Sequence, residues 1–427
     1  MNTLRKVAIV GSARIPFARS NTAYAEASNQ DMLTAAFRAL VDKFSLKGEL
    51  IGEVAAGALI KLPDDWNLAR ESTLGCGLHP RTPAYDLQRA CGTSLTAVIQ
   101  MGHRIARGEI DCAIAGGSDT ASDVPLGYRG KLRRSVLRMN RAKSFGARIS
   151  PFLSLRPKDF KPAAPSSDEP RTGMSMGEHT EVMARDWKIG RAEQDQLAYE
   201  SHKKAAAAWQ AGFFSDLVTP FNGLAIDNNM RPDASLEVMA KLRTAYDRSP
   251  AGTLTAANST PLTDGASCVL LGSEEWAKSR GLPVLAYLTH SATAAVDFAG
   301  LAGPREGLLM APTYAVPQML DRAGITLQDF DIYEIHEAFA AQVLCTLKAW
   351  ESEDYCREKL GRPKLGSIDR AKMNPKGSSV ALGHPFAATG TRIIAMLAKQ
   401  LAERGSGRGL VSICTAGGMG VTAILER

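Results

Sequence analysis

Four residues of this 427-residue chain combine a side chain suited to nucleophilic attack or proton transfer with a sequence context that favours such a role, and the first is Cys91. Cys91 lies in Ala-Cys-Gly-Thr-Ser, directly before an apolar periodicity that is typical of an amphipathic helix. Small neighbours leave room for a bulky electrophile, and the free N–H groups at a helix N-terminus favour thiolate over thiol. Although a lone cysteine is most often a small buried apolar residue, the pattern predicts a nucleophile at the start of a helix.

Two histidines and a second cysteine complete the set of candidate reactive groups. His384 lies between a glycine and a proline, before a helix rich in small residues, where its imidazole can accept a proton from a thiol. His336 follows a strand pattern in His-Glu-Ala-Phe-Ala, and we expect it at the carboxyl edge of a sheet. Cys414 also lies at the end of a strand pattern, and it precedes a double-glycine turn that would expose its thiol to a ligand.

No metal or nucleotide motif accompanies these residues. The sequence has no Cys-x-x-Cys, and His336-Glu337 has no second histidine four residues further on. Neither a Walker loop nor a Gly-x-Gly-x-x-Gly fingerprint follows an early strand pattern. We therefore expect no metal site and no permanently bound cofactor.

The elements that would position the reactive groups occur twice along the chain. Each series gives a helix, a strand, a second helix with a functional group at its start, and a strand followed by a double glycine. The members are 31–43, 51–56, Cys91 and 112–117 in the first series, and 311–323, 330–335, His384 and 410–413 in the second. This order predicts two similar α/β halves that face each other, with the catalytic groups between them.

A long insertion interrupts the repeat, and it holds most of the excess positive charge. Residues 129–158 contain ten Lys and Arg but no Asp or Glu, whereas the net charge of the whole chain is +7. A proline-rich connector and helix patterns at 174–187 and 191–210 follow. We predict a first half made of residues 1–120 and 250–280, an inserted loop domain of residues 121–249, and a second half of residues 281–427.

Composition excludes several classes of protein. With 45% hydrophobic and 22% charged residues, the chain is typical of globular proteins. It shows no apolar run long enough to span a bilayer and no export or transit signal, and its seven scattered cysteines do not resemble a disulfide framework. We expect a cytoplasmic protein with reduced thiols. The basic segment contains few aromatic residues, so we expect no binding to nucleic acid.

In this order, and across essentially the whole chain, the four motifs resemble those of the thiolases. The His-Glu-Ala-Phe-Ala form is similar to the branch that holds bacterial anaerobic-type 3-ketoacyl-CoA thiolases and the trifunctional-protein β subunit, and residues 255–266 resemble a further family pattern. The resemblance implies an α/β fold in five α-β-α-β-α layers, built from two pseudo-symmetric βαβαβαββ halves. It also implies an inserted loop domain that covers coenzyme A.

The resemblance further implies a 3-oxoacyl-CoA thiolase of fatty-acid β-oxidation, an acyltransferase with coenzyme A as substrate. Cys91 would form the acyl-enzyme, with His384 as its base and as an oxyanion donor. Cys414 would exchange a proton with the enolate of acetyl-CoA, and His336 would hold a water at the thioester oxygen. The backbone N–H groups of Cys91 and Ala416 would form a second oxyanion site.

Less specific matches concern binding and assembly. Met176 and Thr260 match family positions near the acyl and pantetheine path, and the family implies a homodimer or tetramer. The branch also implies a possible hydratase/dehydrogenase α subunit as partner.

Two residues depart from the common pattern: many relatives have Asn in place of His336 and Gly in place of Ala416. A histidine can change its charge near neutral pH, so we expect an altered pH dependence.

Two alternatives stay open at this point. Cys91, His336 and His384 also resemble the Cys-His-His set of β-ketoacyl synthases, which condense rather than cleave. Cys414 favours the thiolase, because decarboxylative condensation needs no second thiol acid.

The second alternative is a chiefly membrane-associated or complex-associated component. Leu132, Val136 and Met139 recur at helical spacing among arginines. They predict a basic amphipathic helix within residues 129–148 that lies on anionic lipid.

Overall fold

The computed structural model describes residues 4–427 and contains ten strands in that range. They are β1 (Val7–Arg14), β2 (Ala18–Arg19), β3 (Glu53–Ala56), β4 (Ala84–Asp86), β5 (Cys112–Asp119), β6 (Thr263–Ser273), β7 (Ala286–Ala295), β8 (Ile332–Ile335), β9 (Arg408–Thr415) and β10 (Met419–Glu426).

The α-helices of the same residues are, in chain order, α1 (Asn29–Lys43), α2 (Leu68–Gly75), α3 (Thr93–Ala106), α4 (Gly130–Arg141), α5 (Phe145–Ile149), α6 (Met176–Asp186), α7 (Arg191–Gln210), α8 (Leu236–Ala240), α9 (Glu274–Ser279), α10 (Pro312–Ala323), α11 (Ala340–Glu351), α12 (Glu353–Leu360), α13 (Ser379–Leu382) and α14 (Thr389–Arg404). Their bounds follow local signals. Ser28 and Asp31 form a capping box at the start of α1, and Gly324 ends α10 in a left-handed conformation.

The sheet repeats one topology on both sides of its centre. The strand order is β4-β3-β5-β6-β1-β7-β10-β9-β8, and β2 pairs separately with β6. In the first half β3 and β5 are parallel while β5, β6 and β1 are antiparallel; in the second half β8 and β9 are parallel while β9, β10 and β7 are antiparallel. The repeat expected from the sequence is therefore confirmed.

The two halves differ at their outer edges. The first half reads β1-α1-β3-α2-β4-α3-β5-β6, which is the βαβαβαββ order. In the second half the counterpart of β4 is reduced to a single parallel bridge between Tyr333 and Met373. Asn374, the next residue, has a φ of 45° and precedes Pro375. A left-handed residue followed by a proline cannot continue a strand ladder, so pairing stops there.

Helices fill the layers on either side of the sheet, and α3 and α14 form the central one. Val7 and Ile9 of β1 pack in the same apolar cluster as α3, α14 and the inner faces of β9 and β10. The alternate residues Ala8 and Val10 face the opposite way, toward α1. Helices α10 and α11 cover the outer face of the second half. Because strands of both halves pack on α3 and α14, the two halves of the sheet form two β layers around these helices. The result is the α-β-α-β-α layering implied by the resemblance.

The two central helices approach each other closely at their N-terminal ends. A Cβ built at Gly390 of α14 would lie 2.3 Å from the backbone nitrogen of Leu95 of α3. Only glycine allows this approach, because backbone atoms cannot move aside as a flexible side chain can. The contact brings the two segments that precede these helices into the same place.

Between β5 and β6 the chain leaves the sheet at Asp119, forms α4 to α8, and returns at Thr263. Helices α6 and α7 pack against α11, and α7 also packs against α13. Helix α4 packs mainly against α5 and the neighbouring short turns.

The predicted lipid-facing stripe of α4 is wrong. Leu132 is buried, and Val136 and Met139 are half-buried, because these apolar side chains turn toward the neighbouring turns of the insertion itself. The apolar residues left exposed nearby include Leu137, Phe145, Ile149 and Leu153. Among residues 4–427, no helix combines the length and the apolar character needed to cross a membrane.

The packing of α3 on α14 predicts the effect of one added methyl group. We expect Gly390→Ala to lower the free energy of unfolding by about 1–3 kcal/mol, because the new Cβ overlaps the backbone of Leu95. Gly303→Ala is the matched control, since a Cβ at Gly303 meets open space. Urea unfolding followed by circular dichroism measures both. Equal stability of the two variants would show that the helices can separate without cost.

Candidate active site

Cys91 lies in a tight turn that the sheet and α3 hold in place. The turn is a short 3₁₀ segment, Ala90–Gly92, directly before α3, as the sequence predicted. Ala90 adopts a left-handed φ of 42°, and the Cys91 side chain is buried. A Cβ at Gly92 would lie 2.9 Å from the Thr415 side chain. The glycine therefore lets the Cys91 turn sit directly against the end of β9.

His384 meets Cys91 from the other half of the molecule. Its Nε2 lies 3.1 Å from the Cys91 Sγ, and its Nδ1 lies 2.5 Å from the Oγ1 of Thr389. The backbone N–H of His384 donates to the Oγ1 of Thr263 at 2.8 Å. When Nδ1 carries the proton and donates it to Thr389, Nε2 is left as an acceptor for the thiol proton.

Burial controls the protonation of this pair. It raises the pKa of the Cys91 thiol to about 12, although backbone N–H groups, of which that of Ala416 acts most strongly, favour the thiolate. Burial, together with the charge of Arg392, lowers the pKa of His384 to about 3. The expectation that the helix N-terminus favours a resting thiolate is therefore wrong. Loss of hydration outweighs the N-terminal field, and the pair rests as thiol and neutral imidazole.

His336 directly follows β8, as predicted, and its ring centre lies 4.2 Å from that of His384. Its Nδ1 is 2.7 Å from the Oγ of Ser379, while its Nε2 is buried and finds no partner among residues 4–427. Burial, His384 and Arg392 together hold its pKa well below the usual range. The expected change of charge near neutral pH is therefore wrong, because the surroundings disfavour the imidazolium.

One thiol and two imidazoles thus converge. The candidate ligand atoms of Cys91, His336 and His384 all lie within 4.8 Å of one another. This donor set also suits Zn²⁺ in type, although its members are too far apart in the sequence for a spacing motif to reveal it.

Cys414 lies near the end of β9, where the Cys91 turn packs. Its side chain is 1% exposed, and burial with the nearby Cys91 raises its pKa well above the usual range of a thiol. The chain then turns through Ala416 and Gly417. The N–H of Gly417 donates to the carboxylate of Glu169, from the insertion, at 2.7 Å.

The two residues matched to the pantetheine path occupy half-buried positions. The N–H and the Oγ1 of Thr260 both donate to the carbonyl of Ala338, at 3.0 and 3.1 Å. Ala338 lies two residues after His336, so Thr260 borders the site. Met176 begins α6 and packs against the apolar cluster that includes Phe339 and Cys414.

Sequence reasoning missed the polar residues that hold the reactive groups in place. Ser379 contacts the imidazole of His336, and Thr389 contacts that of His384. Asp119 accepts hydrogen bonds from the backbone N–H groups of Leu59, Ile60 and Ala387. Ser379 and Thr389 both lie within five residues of His384, but no spacing rule distinguishes them from other small hydroxyl residues there.

Comparison with known proteins agrees with this fold. The family models for the thiolase N-terminal domain and the thiolase C-terminal domain match residues 7–275 and 283–427. The chain belongs to the thiolase family. It is therefore an acyltransferase, with coenzyme A as substrate.

Particular relatives cover the whole chain. A 3-ketoacyl-CoA thiolase of Yersinia pestis (strain Pestoides F) is 43% identical over 428 residues, which span 99% of this chain and 97% of that protein. The Bacillus anthracis acetyl-CoA acetyltransferase structure matches with a TM-score of 0.82 and 27% identity, and human mitochondrial 3-ketoacyl-CoA thiolase with 0.81 and 26%. Each of these alignments covers 100% of both chains. The predicted family and fold are confirmed.

The neutral Cys91–His384 pair predicts a distinctive pH dependence of alkylation. Since the pKa of Cys91 is about 12, its thiolate fraction should rise about tenfold per pH unit from pH 6 to pH 9. Inactivation by iodoacetamide should follow with a slope of one and no plateau. Peptide mass spectrometry of the parent and Cys91→Ala identifies the labelled thiol. A rate that levels off below pH 8 would instead reveal a resting thiolate–imidazolium pair.

Proposed function

We propose that this chain is a 3-oxoacyl-CoA thiolase that cleaves its substrate with coenzyme A to acetyl-CoA and a shortened acyl-CoA, in fatty-acid β-oxidation. The observation that carries the proposal is the 3.1 Å contact between Cys91 and His384 in a buried site that contains a second thiol, Cys414. The name of the Yersinia pestis relative supports the same substrate class.

In the first half-reaction the Cys91 sulfur attacks the 3-keto carbon while its proton passes to Nε2 of His384. Free thiolate and imidazolium are both disfavoured here, so proton transfer accompanies formation of the C–S bond. The C2–C3 bond then breaks, which leaves an acyl-Cys91 thioester and the enolate of acetyl-CoA. Cys414 donates its proton to C2 of the enolate, while His336 and His384 stabilise the thioester oxygen.

In the second half-reaction the Cys414 thiolate removes the proton of the incoming coenzyme A thiol. The coenzyme A sulfur attacks the acyl-Cys91 carbonyl, and the shortened acyl-CoA leaves as Cys91 recovers its proton from His384. The N–H groups of Cys91 and Ala416 receive the oxyanion of this step, because both lie close enough to Sγ to favour its thiolate. One oxyanion donor of this kind is typically worth roughly 3 kcal/mol.

The principal alternative is a β-ketoacyl synthase, which would also use Cys91 and two histidines. Cys414 favours the thiolase, since only the thiolase path needs a thiol that both gives and takes a proton. Its raised pKa keeps it protonated before the enolate forms, as a general acid must be.

Further features of the proposal concern binding and organisation. Met176 and Thr260 border the pantetheine path, and the segment 121–249 forms the loop domain over coenzyme A, between a first half of 1–120 with 250–280 and a second half of 281–427. We also propose a homodimer or tetramer that acts in the cytoplasm, where Cys91 and Cys414 stay reduced.

We propose, finally, that the basic segment binds an anionic lipid surface through different residues from the stripe first considered. Leu137, Phe145 and Leu153 are 46%, 79% and 81% exposed, and they lie among the ten basic residues of 129–158. Exposed apolar side chains among clustered positive charges suit a headgroup layer. Docking of a hydratase/dehydrogenase α subunit on this surface is the alternative that the branch resemblance implies.

The two thiols give the decisive test of the reaction. We expect Cys91→Ala to lower kcat for coenzyme A-dependent cleavage of 3-oxoacyl-CoA by more than about 10³-fold, and Cys414→Ala to be similarly impaired, because both groups are needed in one turnover. The assay follows loss of the 3-oxoacyl-CoA enolate absorbance across chain lengths. Cys345→Ala is the control, since Cys345 is buried elsewhere. Full activity without Cys414 would favour the synthase, and full activity without Cys91 would exclude both enzymes.

Vesicle co-sedimentation tests the lipid proposal. We expect binding to phosphatidylserine-containing vesicles at low salt, loss of most binding at about 0.5 M salt through screening, and none to neutral vesicles. Phe145→Ser with Leu153→Ser should weaken binding, whereas Leu301→Ser, at a site 76% exposed elsewhere, should not. No sedimentation with anionic vesicles at low salt would contradict the proposal.

A further inference from the structure

Arg392 is a fully buried cation directly behind the candidate site. It lies in the first turns of α14, and its guanidinium donates to the Oγ of Ser378 at 3.2 Å and to the Oγ of Ser379 at 2.6 Å. A guanidinium only donates hydrogen bonds, so both serine oxygens must act as acceptors toward it. The Ser379 hydroxyl proton remains free for another partner.

That partner is His336. The Ser379 Oγ lies 2.7 Å from His336 Nδ1, so the hydroxyl can donate to the ring while its oxygen accepts from Arg392. A neutral imidazole has one proton, and a ring nitrogen that accepts a hydrogen bond cannot also carry it. When Ser379 is the donor, the proton is on Nε2, the nitrogen that is buried and has no partner within the described residues.

The orientation of that Nε2 decides its chemistry. It belongs to the group in which the reactive atoms of Cys91, His336 and His384 lie within 4.8 Å of one another. In the Nε2–H form His336 offers a donor to an oxygen that becomes negative. In the other form it would present a lone pair to that oxygen and repel it.

We propose that Ser379 and Arg392 are positioning residues that fix His336 as the Nε2–H tautomer, so that a hydrogen-bond donor faces the substrate oxygen. The proposal rests on the proposed function of the site and adds two residues to it. An amide at position 336 would need no such control, because an amide nitrogen is always a donor.

The surrounding charges are consistent with a fixed, neutral His336. The titratable or charged groups near it are Cys91, His384 and Arg392, with Glu334 and Glu337 as the acidic groups that face Arg392. Glu337 accepts from Ser201, Asn374 and the N–H of Val380, and Glu334 accepts from Gln400. In the described part of the chain, His336 Nδ1 is hydrogen-bonded to Ser379 and to no carboxylate.

A double-mutant cycle tests the assignment. We expect Ser379→Ala to lower kcat about tenfold with little change in KM, because His336 loses its fixed tautomer but remains in place. Ser378→Ala is the matched control: it removes the other hydroxyl partner of Arg392 and none of His336, and kcat should change less than about twofold. In a His336→Asn background, Ser379→Ala should have almost no further effect on kcat. Equal effects of Ser379→Ala in both backgrounds would overturn the proposal.

Nitrogen-15 NMR of histidine-labelled protein tests the tautomer without reference to activity. The His336 signals, identified as those lost in His336→Asn, should show a protonated Nε2 in the parent and mixed tautomers in Ser379→Ala. A protonated Nδ1 in the parent would overturn the proposal even if the enzyme is a thiolase. Absence of thiolase turnover with Nε2 protonated would contradict the proposed function alone. Thermal unfolding of Ser379→Ala confirms that the variant is folded.

Discussion

Two helices, one from each half of the sheet, meet backbone to backbone where Gly390 of α14 faces Leu95 of α3. Cys91 precedes α3 by two residues, and His384 precedes α14 by five, so this crossing sets the distance between them. The strands and outer helices hold each central helix from its own side. The duplicated topology thus brings two reactive groups, almost 300 positions apart in the chain, into hydrogen-bond contact.

Exclusion of water makes the resting site electrically neutral. Two thiols and two imidazoles lie in surroundings that disfavour every charged form, and Arg392 adds to the cost of a second cation. Before substrate binds, all four side chains are therefore uncharged, and in the proposed reaction His384 becomes a cation and Cys414 an anion only in the acyl-enzyme. A neutral resting site also avoids repulsion between His336 and His384, whose rings are 4.2 Å apart.

Much of this arrangement could be predicted from the sequence, because it depends on periodicity and local signals. The pattern at 191–210 gave α7 with the same bounds, and the positions of Cys91 before α3 and His336 after β8 followed from their flanking elements. Protonation could not be predicted in the same way. A helix N-terminus is visible in a sequence, but the burial that outweighs its field depends on residues throughout the fold.

The packing of the apolar face of α4 could not be predicted from the sequence either. Its helical stripe was correctly placed, but periodicity says only that one face is apolar and not which neighbour covers it. Ser379 and Arg392 were missed for a related reason. Their importance comes from a hydrogen bond to His336, 43 positions from Ser379, and no local pattern encodes a contact at that separation.

The bond from Gly417 to Glu169 joins the insertion to the loop that carries the Ala416 N–H. Glu169 is itself nearly enclosed, so its carboxylate has little freedom to follow a moving partner. The insertion therefore braces the loop after β9, whose Ala416 N–H favours the Cys91 thiolate.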